Sequence, residues 1–182
     1  MSPEAPQDPI AGLMTEHRLF EYLLGAFEAW LLTIEGGAAV GQALADFISV
    51  FAELVDVHHH GKEEDLLFTA MIDAGFPANG GPLAVMLHEH DIGRVHVHAL
   101  RAAIGNDGAD ARRSIVEHGR TYAMLMRAHI RKEDQILYPM AREVLGGGLA
   151  TVAELCRAYD DAPERRERVA ALTGLAMRLL GR

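Results

Sequence analysis

Apolar residues recur along the chain at alternating steps of three and four. One stripe runs Leu13, His17, Phe20, Leu24, Phe27, Leu31, Ile34, and another Met86, His90, Gly93, Val97, Leu100, Ile104. That is the period of helices packed in a bundle seam, and no stretch shows the β-branched alternation of a strand. The pattern predicts a first helix over 11–35, stopped by Gly36 and Gly37, and a second over 38–72. A turn-rich segment follows at 73–81, then a third helix over 82–105 opened by Pro82, and a fourth over 109–145 ended by glycines 146–148. One or two further helices are expected between Thr151 and Leu180. Long helices joined by short loops predict an all-α fold: an antiparallel up-down-up-down four-helix bundle over residues 10–146. Residues 147–182 then form a C-terminal helical extension packed on the bundle, and 1–9 a disordered tail.

Each of the two stripes carries one histidine among apolar or small residues. The second helix aligns Ile48, Ala52, Val55, His59, Glu63 and Leu66 on one face, and the fourth Tyr122, Met126, His129, Glu133, Ile136 and Met140. A repeat underlies this. Residues 59–68 read HHGKEEDLLF and 129–138 read HIRKEDQILY, with His, Lys, Glu, an acid, Leu and an aromatic at identical offsets. Met14-Thr15-Glu16-His17 and Leu87-His88-Glu89-His90 echo each other more faintly. The chain reads as two similar helical hairpins.

Composition narrows the function. The length of 182 residues suits one domain with an appendage. A net charge of −9 offers no footprint for nucleic acid. No apolar run is long enough to span a bilayer, so no membrane partner is expected, and the N-terminus lacks a signal-peptide pattern. These features predict a cytoplasmic protein. The lone Cys156 excludes an internal disulfide and cysteine-rich metal sites. Ten histidines remain to be explained.

His59/Glu63 and His129/Glu133 are four apart and project from one helix face. A carboxylate buried alone is very costly, and a metal cation is one remedy. Imidazole with carboxylate suits iron, zinc or manganese. His17 lies about 20 residues before the first turn and His59 about 22 after it, so at 1.5 Å per residue they differ in height by about one helical turn. His90 and His129 give the same result around the second turn. All four histidines reach one layer, where two glutamates from opposite hairpins can bridge two ions.

These residues resemble the hemerythrin-like (HHE cation-binding) family over residues 11–145. The signatures are EH at 16–17, HHGKEEDLLF at 59–68, EHDIGR at 89–94 and HIRKEDQILYP at 129–139. The resemblance implies a non-haem di-iron centre, with zinc or manganese as substitutes and an oxo or hydroxo bridge. The ligands it implies are His17, His59, Glu63, His90, His129 and Glu133, both glutamates bridging. Some relatives use the residue after the second-helix histidine, which makes His60 a seventh. The implied partner is a small molecule: dioxygen, peroxide or nitric oxide. No protein partner is indicated. The oxygen-carrier branch has His-x-x-x-His on its third helix; here Arg94 holds the second position, which argues against carrier-type coordination. Arg94 is expected either to face the open side of the metals or to pair with an acid.

The other candidates have plainer readings. Glu64 and Asp134 are expected outside the ligand set or orienting it. His58 is expected at the surface or in packing, and His88, His96 and His98 on exposed faces. His118 is about 16 Å from His129 along the axis, too far to ligate. A ferritin-like carboxylate enzyme is disfavoured because no Glu is followed three residues later by His. A zinc hydrolase is disfavoured because Ile92 stands where His-Glu-x-x-His needs its second histidine. The competing function is a regulatory, iron- or oxygen-sensing module in which the metal is structural and the extension forms the interface.

Overall fold

The computed structural model describes residues 8–181, and among these no strand occurs. Most of the expected N-terminal tail, residues 1–7, lies outside the described residues. Helix α1 spans Pro9–Glu35, earlier than the apolar pattern predicts. Its start is set by the Asp8 side chain, which accepts a hydrogen bond from the Ile10 amide at 3.0 Å, and by a proline in the first turn. Helix α2 is one continuous rod over 43–73. It runs from Ala43–Ser49 through wide-turned π stretches at Val50–His60 and Glu63–Phe68 to Thr69–Asp73. Residues 38–42, predicted to open it, lie in the connecting loop instead. Helix α3 is Gly81–Ala102. Helix α4 covers 109–145 as Ala109–Lys132, a π turn at Glu133–Leu137, and Tyr138–Leu145. A short 3-10 turn, Gly146–Gly148, leads to α5 (Leu149–Asp161) and α6 (Pro163–Leu179).

Helix α4 packs along both α1 and α3, and α2 lies against α3. Close approach of α1 and α4 depends on Gly119, where a Cβ would come within 2.9 Å of both Leu31 methyls and 3.1 Å of Phe27. Two apolar cores result. The larger gathers Phe20, Phe27, Phe47, Phe51, Leu100 and Tyr122, among others. The smaller gathers Ile10, Leu13, Leu67, Phe68, Met86 and Tyr138. The extension joins both: Val152 and Cys156 of α5 enter the smaller core, and Leu172 and Ala176 of α6 the larger.

The π turns alter the phase of the stripes. An i→i+5 turn takes in an extra residue, so the inward set on α4 moves from Glu133 to Leu137, Tyr138 and Ala141. Ile136 and Met140, predicted to face inward, are 47% and 37% exposed. Ile104, also predicted inward, lies past the end of α3 and is exposed. On α2 each residue of the wide turn sweeps a smaller angle, and the successive His58, His59 and His60 are all buried.

Candidate metal centre

Between the two cores lies a layer of polar side chains. His17, His59, His60, Glu63, His90, His129 and Glu133 are all buried there, Glu63 and Glu133 with no exposure at all. The structure brings every sequence-predicted site residue into two overlapping groups. One holds His17, His59, Glu63 and Glu133; the other holds His60, Glu63, His90 and His129. Glu63 belongs to both. In each group the ligand atoms lie within 4.8 Å of one another.

The orientation of the imidazoles is set from outside. His17 Nδ1 lies 2.8 Å from Asp134, His59 Nδ1 2.7 Å from Glu16, His90 Nδ1 2.7 Å from Glu64 and His129 Nδ1 3.0 Å from Glu89. A carboxylate only accepts, so each Nδ1 donates, and each Nε2 is left to face the centre. Each of α1 to α4 supplies one imidazole and one carboxylate, and each carboxylate grips the imidazole of a neighbouring helix. Every carboxylate also has a cation beside it: Lys62 on Glu16, Arg94 on Glu64, Lys132 on Glu89 and Arg18 on Asp134. Burial opposes ionisation of these four acids, but the histidines and cations outweigh it and hold them below their ordinary range.

Inside the ring the Nε2 atoms face one another, His17 to His59 at 2.9 Å and His90 to His129 at 3.0 Å. Two neutral imidazoles donating through Nδ1 would oppose lone pairs at that distance, so a positive charge must lie between them. A metal ion or a proton meets that need. Burial disfavours the cation at His17, but the hydrogen bond to Asp134 and the charges of Glu133 and Asp134 push it up to about 9. His129 likewise rises to about 9 against burial, through the charge of Glu133. Burial pulls His59 down to about 4 and also lowers His60. Glu133 Oε2 sits 3.3 Å from His17 Nε2 and 3.2 Å from His129 Nε2. Burial raises Glu133, but these two cations outweigh it and lower it; burial and the charge of Glu133 raise Glu63.

Glu63 Oε2 and both Glu133 oxygens are buried without a hydrogen bond. Such atoms are expensive unless something electropositive meets them. Inward imidazole lone pairs, orphaned carboxylate oxygens and carboxylates behind the histidines form a donor set that fits a metal such as iron, zinc or manganese. The halves are not identical. Tyr138 stacks on His17 as Phe68 stacks on His90, with ring centroids 5.5 and 6.2 Å apart. Only the tyrosine carries a hydroxyl, which donates to Glu63 Oε1 at 2.6 Å. His60 has no pseudo-symmetric partner; it stacks flat on His90 at 3.7 Å, adding a third imidazole to that half.

Arg94 does not point freely at the centre. Its guanidinium reaches Asp56 at 2.8 Å, Glu64 at 2.7 Å and Asp91 at 3.0 Å. Glu64 and Asp134 thus take the orienting role. Glu16 and Glu89 do the same, a role the sequence pattern does not assign them, although the repeated Glu-His at 16–17 and 89–90 marks them. His58 is buried beside Tyr159. His96, predicted on an exposed face, is half-buried and lies 3.0 Å from the half-buried His118, Nδ1 to Nδ1. A cavity of about 410 Å³ opens between α2 and α3; its wall includes His60, His90, Gly93, Arg94 and Tyr122.

A helical chain that holds buried imidazoles and carboxylates in one layer is, by fold and site, a cation-binding helical protein. The family model described as the hemerythrin HHE cation binding domain matches residues 7–141, and the chain belongs to that family. No curated protein and no solved structure matches it. No helix among the described residues is long and apolar enough to cross a membrane.

Proposed function

We propose that the chain is a cytoplasmic di-iron protein, built as an antiparallel up-down-up-down four-helix bundle, that binds or reacts with dioxygen, peroxide or nitric oxide. His17 and His59 would hold one ion and His60, His90 and His129 the other, with Glu63 and Glu133 shared between them. The observation that carries this reading is the pairing of inward Nε2 atoms at 2.9 and 3.0 Å beside three orphaned carboxylate oxygens. Bound iron would supply reducing electrons, or a free coordination position for a small molecule. The protein's own part is orientation and exclusion. The outer carboxylates fix the four imidazoles, the two apolar cores keep bulk water out, and Tyr138 fixes Glu63 through its hydroxyl proton. The cavity beside His60 and His90 is the entry path, flanked by a charged Arg94 that Asp56 and Glu64 hold in place.

The test is metal content by mass spectrometry on anaerobically purified protein, with absorption spectra before and after air. About two irons per chain and new near-ultraviolet and visible bands support the reading. One ion per chain, or spectra indifferent to air, would overturn it. A second reading, an iron- or oxygen-sensing module with a structural metal, is favoured by one observation: α5 and α6 pack on the helix that carries His59, His60 and Glu63. Under that reading, chelation changes the oligomeric state or partner surface; unchanged behaviour in size-exclusion chromatography removes it.

A further inference from the structure

The pseudo-two-fold that relates the halves of the site is broken on its outer side. Lys62 and Lys132 hold the same place in the repeat, and each pairs with the glutamate behind a histidine, Glu16 or Glu89. Their surroundings differ. The Lys132 side chain is 34% exposed, and solvent shares its charge. Lys62 is 4% exposed, and α5 supplies its second counter-charge, Asp160 at 3.4 Å. Asp160 also lies 3.6 Å from His58 Nε2. A buried ammonium needs its partners. Without Asp160, Lys62 would lean wholly on Glu16, the carboxylate that orients His59.

A second link reaches the same stretch of backbone. The Tyr159 hydroxyl donates to the Val57 carbonyl at 2.9 Å, two residues before His59. Arg165 fixes the tyrosine, with its guanidinium 3.3 Å from the ring centroid and a hydrogen bond to the Tyr159 carbonyl at 3.2 Å. Gly61 makes room: a Cβ there would lie 2.5 Å from the Tyr159 oxygen. The α4 stretch around His129 has no such cover from the extension among these contacts. Helices α5 and α6 lie beyond the family match, which ends at residue 141.

We propose that the C-terminal extension is a strap that positions one half of the metal centre, holding His59 through Asp160, Lys62 and Glu16 and through Tyr159 on the Val57 carbonyl. It thereby acts on the His17–His59 half through the Glu16–His59 bond, which the His60–His90–His129 half lacks. Asp160 and Tyr159 are positioning residues. The assignment of metal halves rests on the function proposed above; the hold on α2 does not.

The experiment compares wild type, Asp160→Asn, Asp160→Glu, Tyr159→Phe and Arg168→Ala. Arg168 ties α6 to Glu53 of α2 outside the relay and serves as the control. The first readout is backbone hydrogen exchange of the metal-free chains. Exchange at 57–63 is expected to quicken in Asp160→Asn and Tyr159→Phe, to stay unchanged at 127–133, and to return toward wild type in Asp160→Glu. The second readout is anaerobic titration with Fe²⁺ by equilibrium dialysis. In Asp160→Asn one of two equivalents is expected to weaken about tenfold, the low end for partners behind a ligand, while the other holds. Arg168→Ala is expected to leave both equivalents in place. Equal weakening of both equivalents, weakening of neither, or unchanged exchange at 57–63 overturns the proposal. If wild type takes up no Fe²⁺, the metal reading falls, and the exchange contrast alone decides whether the strap holds α2.

Discussion

Tyr138 and Phe68 differ by one oxygen, and that oxygen is the hydrogen-bond donor to Glu63. Tyr138→Phe should keep the stack on His17 and strip Glu63 Oε1 of its partner, at a cost of about 1–3 kcal/mol in the metal-free chain. Urea unfolding with chelator present measures it, and Phe68→Tyr is the reciprocal variant. Glu63→Ala and Glu133→Ala should each lose most of the bound metal, read by elemental analysis; full retention in either would remove that residue from the site. Glu16→Ala and Glu89→Ala leave all seven inner side chains intact and should still weaken metal by roughly 10–100-fold. At this scale six of the seven inner residues were legible because spacing places them on inward faces, and His60 came only from the family resemblance. Glu16 and Glu89 were not, since a glutamate beside a buried histidine reads equally well as solvated surface. Only the crossing of helices shows that each serves a histidine on another helix.

Elements were legible wherever the period alone decides. Turn glycines and prolines punctuate the helices, and the inward stripe of α1 is buried from Leu13 to Ile34 as predicted. The π stretches were not legible, because a run of apolar residues fits an i→i+4 or an i→i+5 turn equally well. The misplacement of Ile136 and Met140 follows from that ambiguity. The wide turn also brings His60 inward beside His59, where regular winding would spread the three histidines over a broader arc. Contact between α1 and α4 is a separate constraint on the same layer. Gly119→Val should overpack Leu31 and Phe27 and destabilise the chain by about 1–3 kcal/mol, measured by urea denaturation.

At the scale of the whole molecule, pH reports on the charges of the site. His17 and His129 hold protons up to about 9 in the metal-free chain, against an ordinary value near 6.5. Their contribution to stability is complete below about 6.5 and lost as pH rises through about 9. His59, held down at about 4, acts in the opposite sense: stability falls as pH drops from about 6.5 toward 4. Metal-free protein should therefore be most stable near pH 6.5, which thermal melts across pH 4–10 with chelator can test. Metal must displace the protons on His17 and His129, so apparent affinity should climb between pH 6 and 9 and flatten above. An affinity indifferent to pH would speak against a histidine-dominated site. The extension was legible as helices but not as a strap, because the contacts of Asp160 and Tyr159 span about 100 positions in sequence.

The four imidazoles and four carboxylates close on themselves around the bundle, α1 to α2 to α3 to α4 and back to α1. A hoop of this kind has a fixed circumference. One joint cannot widen without straining its neighbours, so the bore between facing nitrogens is held at 2.9 and 3.0 Å. Ions that bond nitrogen at about 2.0–2.1 Å, as zinc does, suit a narrow bore. Calcium, which takes six to eight oxygens at about 2.3–2.6 Å, would have to stretch every joint at once. A hoop of this size would favour small ions by radius as well as by ligand chemistry.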